Sequence, residues 1–170
     1  MLYLKLFFYL MVRSVYRRPY PNGFTLLELI VVFVILSILV TVMLPITMAQ
    51  IGRARESGAK MNLSSISTAQ QEYFFEHASF ADQILKLSVG INDIHYNYPD
   101  PVITSAGLLV KHEAQPINAA NVNIRHYSMG IFYNTDQSYT VILCQSDNPT
   151  SIAQVANTVA GGCDSGTLQN

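Results

Sequence analysis

No acidic residue precedes Glu28 in this chain of 170 residues, and charge is scarce throughout: 12% of residues are Asp, Glu, Lys or Arg, against 50% apolar. The few charges are segregated. Lys5, Arg13, Arg17 and Arg18 stand at the start, whereas six basic and eleven acidic residues follow Gly23, about −5 for that part. An acidic body excludes a broad nucleic-acid face, because duplex affinity rests on Lys and Arg neutralising phosphates. Catalytic and metal motifs are missing too. His77, His95, His112 and His126 are scattered, without the close spacing of a metal-binding pair. No Gly-rich phosphate loop follows a strand, and no nucleophile elbow occurs. Glu72 and Glu76 lie one turn apart and read as a solvated helix face. The sequence therefore predicts no enzyme, no cofactor and no metal, and it shows no polar cleft in the C-terminal part. Cysteine is limited to Cys144 and Cys163.

What is present is a long apolar run. From Leu29 to Ile46 there is no charge, and only Ser37, Thr41 and Pro45 interrupt the aliphatic pattern. With its flanks this stretch is long enough to cross a bilayer core of ~30 Å as a helix. Arg13, Arg17 and Arg18 lie before it; Arg53, Arg55 and Lys60, with Glu56 among them, follow it. The basic bias modestly favours a cytoplasmic N-terminus and an exported remainder. Export in turn favours a Cys144–Cys163 disulfide, over two free buried thiols, closing a loop of about twenty residues worth roughly 3 kcal/mol. An ordinary secretory signal fits poorly, because its cleavage site would follow the apolar run. The distinctive residues come before it, at Pro21-Asn22-Gly23 and then Phe24-Thr25-Leu26-Leu27-Glu28.

Gly23 to Glu28, followed by an uninterrupted apolar run, resembles the prepilin peptidase signature of type IV pilins and type II secretion pseudopilins. The resemblance implies cleavage between Gly23 and Phe24 and N-methylation of the new terminal Phe24. It also implies that Glu28 pairs with the amino group of a neighbouring subunit's Phe24 and so sets register during assembly. Independently, a carboxylate within an apolar run is costly and by default functional, and Pro21-Asn22-Gly23 reads as an accessible turn. The leader departs from the family pattern, since MLYLKLFFYLMV is apolar; initiation at Met11 would give a compact basic leader.

Pro45 lies within the helical pattern and removes one backbone hydrogen bond. A kink is expected at Thr41–Pro45, and in the resembling family a proline here marks a segment that can unwind. Beyond it the helix is expected to reach about His77. Ala59, Leu63, Ile66, Tyr73 and Phe74 form one stripe, with Gln70 its polar exception, facing a sheet. Met61 and Phe75 point elsewhere, toward other subunits or solvent. Ser79–Asp82 reads as a turn and Ile84–Leu87 as a short amphipathic piece. Candidate strands are Ile94–Tyr98, Leu108–His112, Ile124–Tyr133 and Ser138–Gln145, with a hairpin turn at Asn134–Gln137. Asn148 to Asn170 reads as an irregular loop. The expected fold class is α+β, a long N-terminal transmembrane helix whose C-terminal half packs on a small antiparallel sheet.

The expected organisation is a leader over 1–23, a transmembrane helix over 24–48, its amphipathic continuation over 49–77 and an exported head over 78–170. The run AQQEYFFEHASFADQILKLSVGI and the later VILCQSD resemble the cyanobacterial type IV pilin-like G/H proteins. Two functions share the leader: a subunit of a type IV pilus serving motility, adhesion or DNA uptake, and a pseudopilin of a type II secretion machine. Implied partners are other pilins as homo- or hetero-oligomers, the prepilin peptidase and methylase, an inner-membrane assembly platform and the membrane itself. A membrane-anchored binding module is the distant alternative.

Overall fold

The computed structural model describes residues 25–118 and 123–169. It divides into two compact units, one ending at Leu44 and one beginning at Pro45. A single helix, α1, is assigned from Leu26 to His77, and its backbone is helical through Pro45.

The first unit comprises the described residues 25–44, almost all helical. Its side chains are apolar around the whole circumference, and they are exposed: Leu26 by 76%, Phe33 by 62%, Ile38 by 60%. Ser37 and Thr41 direct their hydroxyls back to the carbonyls of Val34 and Ile38, both at 2.8 Å. These polar groups are thereby satisfied within the helix itself. Among the described residues no helix is long and apolar enough to cross a membrane. Several side chains between Val42 and Ala49 lie outside the described set, and the structure does not by itself display the expected span.

The second unit is an α+β head. Its helical part ends where Ala78 turns left-handed (φ 53°) and donates its amide to Phe74 O at 2.8 Å, a usual way to satisfy a helix C-terminus. A 3₁₀ turn at Ile84–Leu87 buries Leu87. Then come β1 (Tyr96–Asn97), β2 (Val102–Thr104), β3 (Leu109–Pro116), β4 (Tyr127–Tyr133), β5 (Tyr139–Gln145), β6 (Gln154–Val155), β7 (Cys163–Ser165) and β8 (Thr167–Gln169). The main sheet runs β1-β3-β4-β5-β8, with β2 also on β3, and every pairing is antiparallel. The Asn134–Gln137 turn closes the β4–β5 hairpin, Asn134 N donating to Ser138 O at 2.9 Å.

Alternation along the strands sorts the side chains into two layers. Val110, Ala114, Tyr127, Met129 and Ile131 pack against Ala59, Leu63 and Ile66 of α1. Leu109, Phe132, Ile142 and Cys144 face the other way and meet Ala153, Val155 and Cys163. The C-terminal segment is thus a second cover on the sheet, and β4 is buried on both faces. Here the expectation of an irregular loop is corrected. β6 and β7 form a small hairpin, and β8 extends the main sheet. Short polar strands lack the β-branched runs that signal a strand, and their pairing depends on tertiary contacts. β2 was also unforeseen, and β3 runs four residues past His112 because β1 supplies a partner to its far end.

Two glycines make this cover fit. A Cβ on Gly130 would sit 2.7 Å from Val155 Cγ1, so β4 is bare where β6 crosses it. Gly166 has φ +88°, and a Cβ there would lie 2.2 Å from Gln145 O.

Candidate functional site

Gly23 and Phe24 lie outside the described residues. The site opens at Thr25, whose Thr-Leu-Leu-Glu spacing is that of a capping box. Glu28 N donates to Thr25 Oγ1 at 3.3 Å, while Thr25 N and Oγ1 donate to Glu28 Oε2 at 3.3 and 3.1 Å. The Glu28 carboxylate is exposed, stands in the first turn of α1 and favours the positive end of its dipole. Thr25, not singled out in the sequence reading, is therefore the residue that orients Glu28. The T-x-x-E spacing was the available signal. Pro45 is helical in backbone, and its side chain lies outside the described set.

In the head, Cys144 and Cys163 are joined by a disulfide across a sequence separation of 19, with Cα atoms 5.8 Å apart. The bridge ties β5 to β7 beneath the second cover. His126 reinforces it. Its Nδ1 accepts from Ala153 N at 3.2 Å, and Nε2 lies 3.5 Å from Glu113 Oε2. Glu113 also accepts from Gln115 Nε2 at 2.8 Å. These hydrogen bonds, His126 first, with Lys111 nearby, hold the Glu113 carboxyl below the usual carboxylate range against its partial burial.

On the helix face, the polar exception in the stripe has its partners. Gln70, fully buried, donates from Nε2 to Ala81 O and accepts at Oε1 from Ala81 N, both at 3.0 Å. The same Nε2 lies 3.0 Å from His112 Nε2. Burial lowers the His112 pKa to about 4, so this imidazole is neutral at ordinary pH. Its Nδ1 has no partner among the described residues. Further ties were invisible in sequence. Glu56 Oε1 accepts from Arg125 N at 3.0 Å. Lys60 Nζ donates to Gln169 Oε1 at 3.1 Å and lies 5.3 Å from the Tyr127 ring centroid. Asn62 Nδ2 donates to Tyr98 Oη at 3.0 Å and to Asp93 at 3.3 Å. Lys60, counted above as a flank of the apolar run, thus belongs to the head. No group of three or more His, Cys, Asp or Glu capable of holding a metal ion occurs among the described residues.

The expectation of a head without a polar cleft is also corrected. A cavity of about 390 Å³ lies on the sheet face away from α1. Its floor is Lys111, Glu113, Gln115 and Ser128, and its walls are the 99–104 segment and Gln154–Val155. Period-two alternation in Lys111-His112-Glu113-Ala114-Gln115 carried the signal for the floor. The walls come from distant segments and left no such trace.

A capped, carboxylate-bearing apolar helix leading an α+β head with a disulfide-tied C-terminal cover is the build of pilin-like proteins. The chain belongs to the type IV pilin-like G and H family, whose model matches residues 56–167. The prokaryotic N-terminal methylation motif matches residues 18–44. Among curated proteins, the chain is similar to the type IV major pilin protein PilA of Myxococcus xanthus (strain DK1622), 38% identical over 65 residues. That match covers 38% of this chain and 30% of the relative, less than a third of its length. No solved structure matches.

Proposed function

We infer that this chain is a structural subunit of a type IV pilus filament and performs no catalysis. Prepilin peptidase cuts it between Gly23 and Phe24, the new Phe24 amine is methylated, and residues 24–48 hold the subunit in the inner membrane with its N-terminus cytoplasmic. An assembly platform then moves it into the filament, beside copies of itself or other pilins, and the head reaches the cell surface. Motility, adhesion and DNA uptake are the tasks such a filament serves. The observation that carries this reading is the capping box at Thr25–Glu28, set at the start of α1, where described apolar side chains from Leu26 to Met43 are largely exposed. Such a surface needs an apolar environment, first lipid and then neighbouring helices. Within a bundle, a carboxylate at this depth needs a cationic partner, and the amine freed by cleavage after Gly23 is that partner.

The test is incorporation. Glu28→Ala protein should be cut normally, yet fall at least tenfold in sheared surface filaments measured by quantitative immunoblot. Wild-type incorporation of the variant would refute the register role of Glu28. The second reading, a pseudopilin of a type II secretion machine, shares the N-terminal methylation motif matched over residues 18–44. It predicts no surface filament containing the chain and a secretion defect on deletion.

A further inference from the structure

The polar cleft on the far face of the sheet plays no part in processing or in the packing of α1. It lies entirely within the head and has a composite construction. β3 supplies Lys111, Glu113 and Gln115, and β4 supplies Ser128. The segment ahead of and within β2 supplies Pro99, Asp100, Val102 and Thr104, while β6 supplies Gln154 and Val155. Several of these groups are fixed before any ligand arrives. Lys111 Nζ donates to Val155 O, pinning one wall to the floor. Asp100 Oδ1 accepts from Ile84 N at 3.1 Å. Both contacts to Glu113, from Gln115 and His126, are made at Oε2, and among the described residues Oε1 carries neither of them. Thr104 Oγ1 is buried and has no hydrogen-bond partner among the described residues. This hydroxyl has essentially no surface open to the cleft and belongs to its packed wall.

The chemistry of the lining selects among ligands. Glu113 and Asp100 only accept, Lys111 only donates, and the two Gln carboxamides do both. An anion would meet two carboxylates, and a cation would meet the Lys111 ammonium. An apolar molecule would strand the whole set without water. A hydroxyl both donates and accepts, so a neutral ligand bearing several hydroxyls can satisfy all of these groups together. Pro99 and Val102 offer apolar patches for the C–H faces of a ring. The volume, about 390 Å³, lies toward the lower end of small-molecule sites, roughly 300–1,000 Å³.

We propose that this cleft is a saccharide-binding site, taking one or two pyranose rings against the floor of Glu113, Gln115 and Lys111. The site gives the head a recognition role of its own, separate from assembly through the N-terminal helix.

The experiment uses the full chain in micelles of a detergent without a sugar headgroup. Saturation-transfer-difference NMR is recorded with glucose, galactose, N-acetylglucosamine and cellobiose at millimolar concentration, and the same samples are melted. At least one sugar should show transfer to its ring protons, with a millimolar Kd. Gln154→Ala removes an exposed wall side chain and leaves the core intact, so it should weaken that Kd at least threefold with an unchanged Tm. Glu113→Gln should weaken it at least tenfold. Absence of transfer for all four sugars overturns the proposal. So does an unchanged Kd in Gln154→Ala, whatever happens to the stability of Glu113→Gln. Transfer that survives in both variants would place the sugar elsewhere on the chain and equally overturn it. None of these outcomes depends on filament incorporation, so failure here leaves the pilus reading standing.

Discussion

The two units of this chain handle apolar surface in opposite ways. In the head, Ala59, Leu63 and Ile66 are wholly buried, and even the polar Gln70 among them has partners on both ends of its amide. In residues 25–44 the same kind of helix exposes Leu26, Phe33 and Ile38 by 60–76% and satisfies only its hydroxyls and its first turn. The periodicity explains the contrast. A stripe buries against one sheet, whereas an apolar circumference needs apolar surroundings on all sides. The sheet-facing stripe is therefore satisfied within the head, whereas the first unit's apolar surface is satisfied only in company.

Four perturbations break that contrast at different depths. The largest is Gly23→Val, which puts a β-branched side chain at the expected cleavage site. It should abolish processing, so that an immunoblot shows only the precursor, with the first unit kept in lipid and the head folded as before. Next is Cys144→Ser. Removing a native disulfide from a small domain costs about 2–5 kcal/mol, so melting of the full chain should drop by many degrees. Wild type treated with reductant should match the variant, and processing should be untouched.

A comparable effect follows from pH. His112 is held neutral in the fold at a pKa of about 4, against an ordinary value of 6.5. Its folded pKa is depressed, so its contribution is fully present above pH 6.5 and is lost as pH falls toward 4, by up to about 3 kcal/mol. Glu113, also held low, begins to lose its contribution only as pH falls below about 4.5 and continues to lose it at more acid pH. Thermal melts from pH 7.5 to 4 should show this decline in the head, and His112→Asn should flatten the part that begins near 6.5. The smallest effect expected is from Gly130→Ala, whose added Cβ would press on Val155 Cγ1. Overpacking of this kind costs typically 1–3 kcal/mol. Hydrogen exchange should then rise at Ala153 and Val155 while the helix face stays protected.

These perturbations also mark what the sequence made legible. The helix-facing layer was readable because its information is periodic. Ala59, Leu63, Ile66, Tyr73 and Phe74 recur at helical spacing, and Gln70 stood out as the exception that needed an explanation. The β4–β5 hairpin was readable from Asn134-Thr135-Asp136-Gln137 between two strand-like runs. The C-terminal cover was not readable, because β6, β7 and β8 are two or three residues long and owe their pairing to Cys144–Cys163, to Gly130 and Gly166, and to His126 holding Ala153. At the N-terminus, Glu28 was visible as a charge in an apolar run, while the part played by Thr25 lay unread in the T-x-x-E spacing. The cleft was half visible. Its floor is written in the alternation of β3, but its walls come from the 99–104 segment and from Gln154–Val155, outside that alternation.

The four polar ties along the helix have a mechanical consequence. Glu56 to Arg125, Lys60 to Gln169, Asn62 to Tyr98 and Asp93, and Gln70 to Ala81 are spread from position 56 to position 70 of α1, roughly 21 Å at the helical rise. A force applied along the helix axis loads all four at once, together with the apolar stripe between them. They must then yield in shear, as a group, rather than peel one after another. Traction is borne by a seam instead of a single fastening, and a fibre made of such heads would keep them folded while it is being pulled.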